Sequence, residues 1–425
     1  MNTLTTPMNP IYPFNQPGSD IVIHDGTIEV MGVGRGLGRV VATMRGRLNI
    51  NWEVDLNHDL DLGPATIRVD RPVLGVKDVT ASINHNAGRG CLDEASLGSG
   101  AQLARVVAHW LNLPWITPAA GLSSPQAVWC GRWAAEGGGW TLVLDSRQDI
   151  DSVVKAQAGT DDLAITYCGD LRRTDGAPFD VAAVSDALFG WQMAFSFALG
   201  RWVPPALPIG FDTQGNRAWE QWAPWRCDST TGYRSWWDNQ NGDDLREFMR
   251  LFLDRWCSPG HQALIRHVAH HLIAANQGAT TTEARIMLVH AALDYFSWVK
   301  YVVSGVRSIT QHKKLSADER LRQLLDVAKV PVDIPPDFPG LCELARNKSL
   351  ADGPEAVTWV RNRLVHPKDA GEPYRIQQLV SDAWQLSMYY GELILLHELG
   401  YQGQFLPRFP ARRFIRNRVP APWSL

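Results

Sequence analysis

The stretch TWVRNRLVHPKDAG, residues 358–371, brings Arg361, Asn362 and His366 within six positions, and Pro367 follows directly. Histidine titrates near neutral pH and can take or give a proton, which is worth roughly 10²–10⁴ in rate at a reacting group. Arginine presents a permanent planar fork that pairs with phosphoryl oxygens in bidentate fashion. On a helix, positions four apart share a face, so Asn362 lies beneath His366 and its amide can hydrogen-bond the imidazole and hold its tautomer. Arg361 lies about 140° round the helix from His366. Pro367 disfavours the helical conformation at His366, so the helix is expected to end there with the ring free to turn outward, and the helix C-terminus favours an imidazolium. A fixed cation beside a proton carrier suits RNA cleavage without a metal: the 2′-hydroxyl must lose a proton, the leaving 5′-oxygen must gain one, and charge builds on the phosphoryl oxygens. One such edge holds a single histidine. A two-fold dimer that joins two edges supplies an acid, a base and two cations. The bland alternative is a solvated helix end with a satisfied histidine.

Spacing alone does not single this stretch out. Arg285 to His290 and Arg307 to His312 repeat the same interval, and Arg255 to His261 nearly does. Only Arg361 is followed at once by Asn, and only its histidine is followed by Pro. VRNRLVHP resembles the R-N-x-x-x-H signature of the HEPN superfamily of helical RNase and nucleotide-binding modules. The setting is similar too: a long upstream helix IMLVHAALDYFSWVKYVV, then ERLRQLLD, then the motif, then a long closing helix, over about 280–400. A β-rich domain followed by such a bundle looks like the ApeA-type family of bacterial anti-phage defence proteins.

The resemblance implies a cytoplasmic abortive-infection toxin: a homodimeric endoribonuclease with no cofactor and no metal, cutting tRNA or mRNA to a cyclic phosphate and a 5′-hydroxyl. Arg361 would clamp phosphate, Asn362 would orient and His366 would be the general acid/base. An N-terminal domain would answer a phage-derived trigger. HEPN domains often carry an acidic residue on the upstream helix, and Asp294 in AALDYF is the nearest candidate. The alternative is a non-catalytic HEPN module in which the same edge grips RNA, a nucleotide or a partner protein without turnover. Carbohydrate binding by the first 190 residues is a third reading.

Other groups fit chemistry less well. GVGRGLG, 32–38, puts Leu37 where a dinucleotide fingerprint needs its third glycine, and strand-like RVVATM follows, so a hairpin or bulge loop is expected. His267 and His271 have the i, i+4 interval of a zinc pair, but no carboxylate ligand accompanies them, and they are expected on a helix surface. The tail RFPARRFIRNRVPAPW interleaves Arg408, Arg412, Arg413, Arg416 and Arg418 with Phe409 and Phe414. With Arg363, its arginines are candidates to hold single-stranded RNA by phosphate pairing and stacking. A tail folded onto the acidic remainder of the chain is as compatible with the pattern.

The elements that must position these residues read as α+β. A chain of 425 residues exceeds the roughly 250–300 of a single core, so two or more domains are expected. Residues 1–190 are rich in β-branched runs punctuated by Gly, Asn and Pro and read as a β-rich, sandwich-like domain. One helix is expected there, over 99–113, from Leu103, Val106, Val107, Trp110 and Leu111. Residues 191–279 hold eight of the 18 tryptophans and read as a helical connecting region in which the indoles are mainly packing. Helical periodicity with a Thr281 cap and a Ser316/Glu319 capping box marks 280–405 as a helix bundle, and 406–425 is the basic tail. A net charge of −3 gives no global nucleic-acid signal, so such contact must be a local patch. Six cysteines without C-x-x-C spacing read as reduced thiols. The N-terminus lacks a signal-peptide pattern and no apolar run reaches a membrane span, so no membrane contact is expected.

Overall fold

Along stretches such as 47–54 and 131–137 buried side chains alternate with more accessible ones, and this period of two builds much of the first half of the protein. The computed structural model describes residues 4–57, 59–98, 100–230, 233–409 and 417–424. Strands β1 (Ile21–Val30), β2 (Gly34–Arg45), β3 (Arg47–Val54), β4 (Gly63–Arg71), β5 (Gly75–His85) and β6 (Arg89–Leu92) close into a barrel of order β1-β2-β3-β6-β5-β4, all pairs antiparallel. Two three-stranded meanders therefore join edge to edge, which leaves neither with a free edge. Leu48, Ile50, Trp52 and Val54 of β3 face inward with Val40, Ala42 and Met44 of β2 and Ile67 and Val69 of β4. The glycine-rich stretch is the expected hairpin, with Gly32 at φ +75° in the turn. Side chains at Gly36 and Gly38 would strike the carbonyls of Asp55 and Glu53, so these glycines admit β3 rather than a phosphate.

The second sheet comprises β7 (Ala95–Leu97), β8 (Arg105–Leu111), β9 (Ala120–Ser123), β10 (Val128–Gly137), β11 (Trp140–Ser146), β12 (Ile165–Arg173), β13 (Pro205–Phe211) and β14 (Arg217–Trp222). Its order is β7-β14-β13-β8-β12-β11-β10-β9. Helix α1 (Ile150–Ala156) lies between β11 and β12 in sequence, and α2 (Val181–Leu199) between β12 and β13. Three expectations are corrected. The N-terminal part is a barrel plus a sheet rather than a sandwich. The helix expected over 99–113 is strand β8: Val106 to Leu111 are all buried between β12 and β13, and a strand covered on both faces loses the alternation that separates it from a helix. The section 191–279 is not helical throughout, since β13 and β14 complete the sheet.

One compact unit comprises residues 1–192, 202–232 and 239–242, and the other 193–201, 233–238 and 243–425. Seven of the eight tryptophans of 191–256 are buried, Trp191, Trp202, Trp219 and Trp222 in the first unit and Trp236, Trp237 and Trp256 in the second, and Trp225 is partly buried against the first unit's core. The second unit is helical, which makes the chain α+β: α3 (Gly242–Trp256), α4 (Gln262–Ala275), α5 (Thr282–Trp298), α6 (Ile309–Lys314), α7 (Ala317–Val327), α8 (Pro339–Lys348), α9 (Gly353–Val365) and α10 (Leu379–Leu399). The Thr281 cap and the Ser316/Glu319 box form as the sequence indicates, and Ser308 with Gln311 makes a further box before α6. Helix α10 packs on α4, α5, α8 and α9, so the bundle includes α4 and starts before residue 280. A short ladder, β15 (Gln404–Phe405) with β16 (Val419–Pro420), follows.

Two helical segments, Val181–Leu199 and Thr282–Val303, have the length and apolar composition of a membrane span; the first is 72% buried within the protein and the second 39%. The second segment ends in a π-helical turn, Val299–Val303.

Candidate active-site edge on α9

Helix α9 starts because Asp352 caps it: its carboxylate accepts from the Glu355 amide at 3.0 Å and takes Nε of Arg322 at 2.7 Å. Pro354 sits in the first turn, where its missing N–H costs nothing. Ala356, Val357 and Val360 are buried, and Gly353 lets the helix approach Tyr390, whose hydroxyl would lie 2.1 Å from an added Cβ at Gly353. The helix ends where the sequence indicates. His366 is its C-cap at φ −127° and ψ 68°, with its N–H on the Asn362 carbonyl at 2.8 Å, and Pro367 follows.

The three motif residues lie at the C-terminal end of α9. Asn362 and His366 are exposed and Arg361 is half-buried. Arg361 Nη1 donates to Asn362 Oδ1 at 3.0 Å. Among the described residues Arg361 has no carboxylate partner and no hydrogen bond joins the Asn362 amide to the His366 ring. The amide oxygen thus steadies the guanidinium, a permanent cation and a strong donor.

Behind Arg361 stands His290 of α5, whose interval from Arg285 in sequence matches that of the motif. It is 5% exposed, and its Nε2 has no protein partner among the described residues. Burial, and then the positive charge of Arg361, push its pKa down to about 3, so it is a neutral imidazole at physiological pH. One helical turn further, Asp294 reaches Arg320 of α7 at 3.3 Å. The acidic candidate therefore serves α7 rather than the α9 motif.

Arg363 points elsewhere. Its Nε lies 3.1 Å from Glu372, and its guanidinium sits 5.1 Å above the Trp359 ring, with Lys348 sharing both partners. The hydrogen bond from Lys348 first, and then its charge and that of Arg363, hold the Glu372 carboxyl below its usual range. Arg363 is thus committed within the bundle. The tail is only partly described: Arg412, Arg413 and Arg416, and Phe414 with them, lie outside the described residues. Arg408 is 1% exposed and grips Glu392 of α10 through Nε and Nη2, each at 2.7 Å, and Phe409 packs edge-on to Phe338. At Arg408 the folded-tail alternative is the one realised, because a guanidinium this deep needs a carboxylate. His267 stacks between Tyr295 and His271, at 3.9 and 4.1 Å between centroids. No group of three or more His, Cys, Asp or Glu among the described residues is placed to hold a metal.

Residues 98–233 match the YopA central domain and residues 259–418 the YopA C-terminal domain. The protein described as "SPbeta prophage-derived uncharacterized protein YopA" of Bacillus subtilis (strain 168) is 25% identical over 277 residues, covering 63% of this chain. The chain spans 60% of the length of that curated relative. No solved structure matches the chain.

Proposed function

We propose that the chain is an endoribonuclease of HEPN type that works without a metal, with its active site formed where two α9 edges meet across a homodimer. Its setting would be the cytoplasm, in abortive-infection defence against phage. The observation that carries the reading is Arg361, a half-exposed guanidinium with no carboxylate to neutralise it among the described residues, next to an exposed histidine at a helix end. A cation left uncompensated on an accessible edge is suited to a phosphate. The prophage origin of the YopA relative fits a role in conflict between phage and host.

In the proposed reaction the 2′-hydroxyl gives its proton to the imidazole of one His366, and a bond forms between 2′-oxygen and phosphorus. The bond from phosphorus to the 5′-oxygen breaks, and the His366 imidazolium of the other protomer protonates the leaving oxygen. The products are a 2′,3′-cyclic phosphate and a 5′-hydroxyl. Arg361 neutralises the charge that builds on the non-bridging oxygens. Asn362 holds the guanidinium and thereby sets its fork. A trigger acting on the β-rich half would govern when the edges are used.

The test is degradation of total RNA by the full chain in EDTA, with and without phage lysate. His366→Ala is expected to slow cleavage roughly 10²–10⁴-fold, and Arg361→Ala by a similar factor. Equal rates among the three proteins would reject the assignment. A second reading, a non-catalytic RNA- or nucleotide-binding module, draws on the Asn362 amide, which serves Arg361, so that among the described residues the His366 ring has no orienting hydrogen bond. RNA binding without cleavage under any trigger would favour it.

A further inference from the structure

A second set of cations lies on the helical unit, at α6 and α7. Arg307 stands in the turn before α6; its Nη2 donates to Gln323 Oε1 of α7 at 3.0 Å, and its guanidinium lies 4.8 Å above the Tyr301 ring. Arg320, one turn before Gln323 on α7, holds Asp294 at 3.3 Å. His312 of α6 is 2% exposed and meets the Trp298 ring edge-on at 5.4 Å. The charges of Arg320, Arg307 and Asp294 all reach this imidazole; burial first, and then the two guanidinium groups, lower its pKa, while Asp294 opposes them.

Three polar atoms of this cluster are shielded from solvent and have no hydrogen-bond partner among the described residues: His312 Nδ1, Arg307 Nη1 and Arg320 Nε. One desolvated, unpaired donor costs about 1–3 kcal/mol, and more when it is charged. Arg307 Nη1 and Arg320 Nε are charged donors, and His312 Nδ1 joins them as a third in the tautomer that places its proton there; an acceptor brought to the cluster recovers their cost. The charges are two guanidinium groups against one carboxylate. A group with several acceptor oxygens and a negative charge satisfies both deficits, and phosphate is that group. The cluster is linked to α9 through α5, which packs on both α7 and α9 and carries Asp294 one helical turn from His290.

We propose that Arg307, Arg320 and His312 form a phosphate-binding subsite for the backbone of single-stranded RNA, taking a phosphodiester that flanks the one held at Arg361. The assignment to RNA rests on the ribonuclease reading; the affinity for phosphate does not. Asp294 is then a positioning residue that fixes the fork of Arg320.

The test uses the full chain carrying His366→Ala, so that RNA stays intact. It is titrated with a fluorescent single-stranded RNA of about twelve nucleotides, a length within known single-strand site sizes, over a range of salt concentrations. Adding Arg307→Gln is expected to weaken binding about tenfold and to reduce the slope of log affinity against log salt by about 0.7, the loss of one phosphate contact. His312→Gln is expected to weaken binding in the same direction, and Arg250→Gln, on the outer face of α3, to change neither quantity. Circular dichroism of each variant reports folding, and Arg307, in a turn with Gln323 as its hydrogen-bond partner, is the substitution least able to disturb it. Unchanged affinity and slope in both Arg307→Gln and His312→Gln would overturn the subsite even if the wild type cuts RNA. Loss of affinity in these variants, with a wild type that never cleaves, would uphold the subsite and overturn the ribonuclease reading. If Arg307→Gln weakens binding of inorganic phosphate but not of RNA, the assignment to RNA is overturned.

Discussion

Arg408 offers a sharp separation between a structural and a ligand-binding arginine. Its side chain is 1% exposed and gives two hydrogen bonds of 2.7 Å to Glu392, while Nη2 also reaches the Arg234 carbonyl and the Asn276 amide oxygen, each at 3.2 Å. Arg408→Met keeps most of the volume but leaves Glu392, itself 5% exposed at the side chain, as a buried charge without its counter-ion. Removing one partner of a buried pair costs about 3–5 kcal/mol. At 1.36 kcal/mol per decade, that is a loss of roughly two to four decades of hydrogen-exchange protection in the α10 amides. Exchange followed by mass spectrometry on peptides from 379–399 reads this directly and is confined to the helical unit. The double change Arg408→Met with Glu392→Met is expected to recover much of the loss, because no charge remains buried. Protection within tenfold of wild type in the single variant would refute the ion-pair argument. If affinity for RNA fell instead, with protection intact, Arg408 would be a ligand-facing cation.

The remaining expectations are independent of that one. His109 accepts the Tyr12 N–H at Nε2, which leaves Nδ1–H to donate to the Leu207 carbonyl, and burial pushes its pKa down to about 4. The folded state keeps it neutral while the unfolded chain protonates near 6.5, so its stabilisation is complete above that pH and declines as pH falls toward 4. The loss is on the order of 3 kcal/mol for the wild type, and urea titrations across that range should show a flatter dependence in His109→Gln. Gly90→Ala would put a Cβ 1.7 Å from the Ser82 carbonyl oxygen and 2.7 Å from Trp52 Nε1, on a barrel seam whose backbone cannot yield. A loss of about 3 kcal/mol is expected, read from the urea midpoint of the first unit. Asp352→Ala removes the α9 cap and the partner of Arg322, and should cost about 1–2 kcal/mol and lower cleavage, whereas Asp352→Asn keeps the capping oxygen and loses less. A melting curve and the EDTA cleavage assay on the same preparations check this pair.

The α9 edge was legible in the sequence because its information is local. A capping aspartate, an early proline, a stripe at Ala356, Val357 and Val360 and a stop at His366-Pro367 lie within sixteen residues, so the helix, its end and the exposure of His366 all follow from short-range rules. The Ser316/Glu319 capping box and the β1–β2 hairpin were readable for the same reason. The failures lie where burial is set by distant chain. Strand β8 carries a helix-like spacing because both its faces are covered by elements remote in sequence, and β13 and β14 join a sheet whose other strands precede them by up to 127 residues, the separation of Gln221 from Glu94. His290 and His312 were set aside as chance spacings, since nothing local distinguishes a surface histidine from one enclosed by three helices. Only the packing of α5, α6, α7 and α9 brings Arg361, Arg320 and Arg307 into electrostatic reach of those two rings, and only the packed chain commits Arg363 to Glu372 and Arg408 to Glu392. Sequence determined which residues can do chemistry and where their helix ends; tertiary structure decided which of the cations still had a charge to offer, because neutralisation depends on neighbours that the chain supplies from far away.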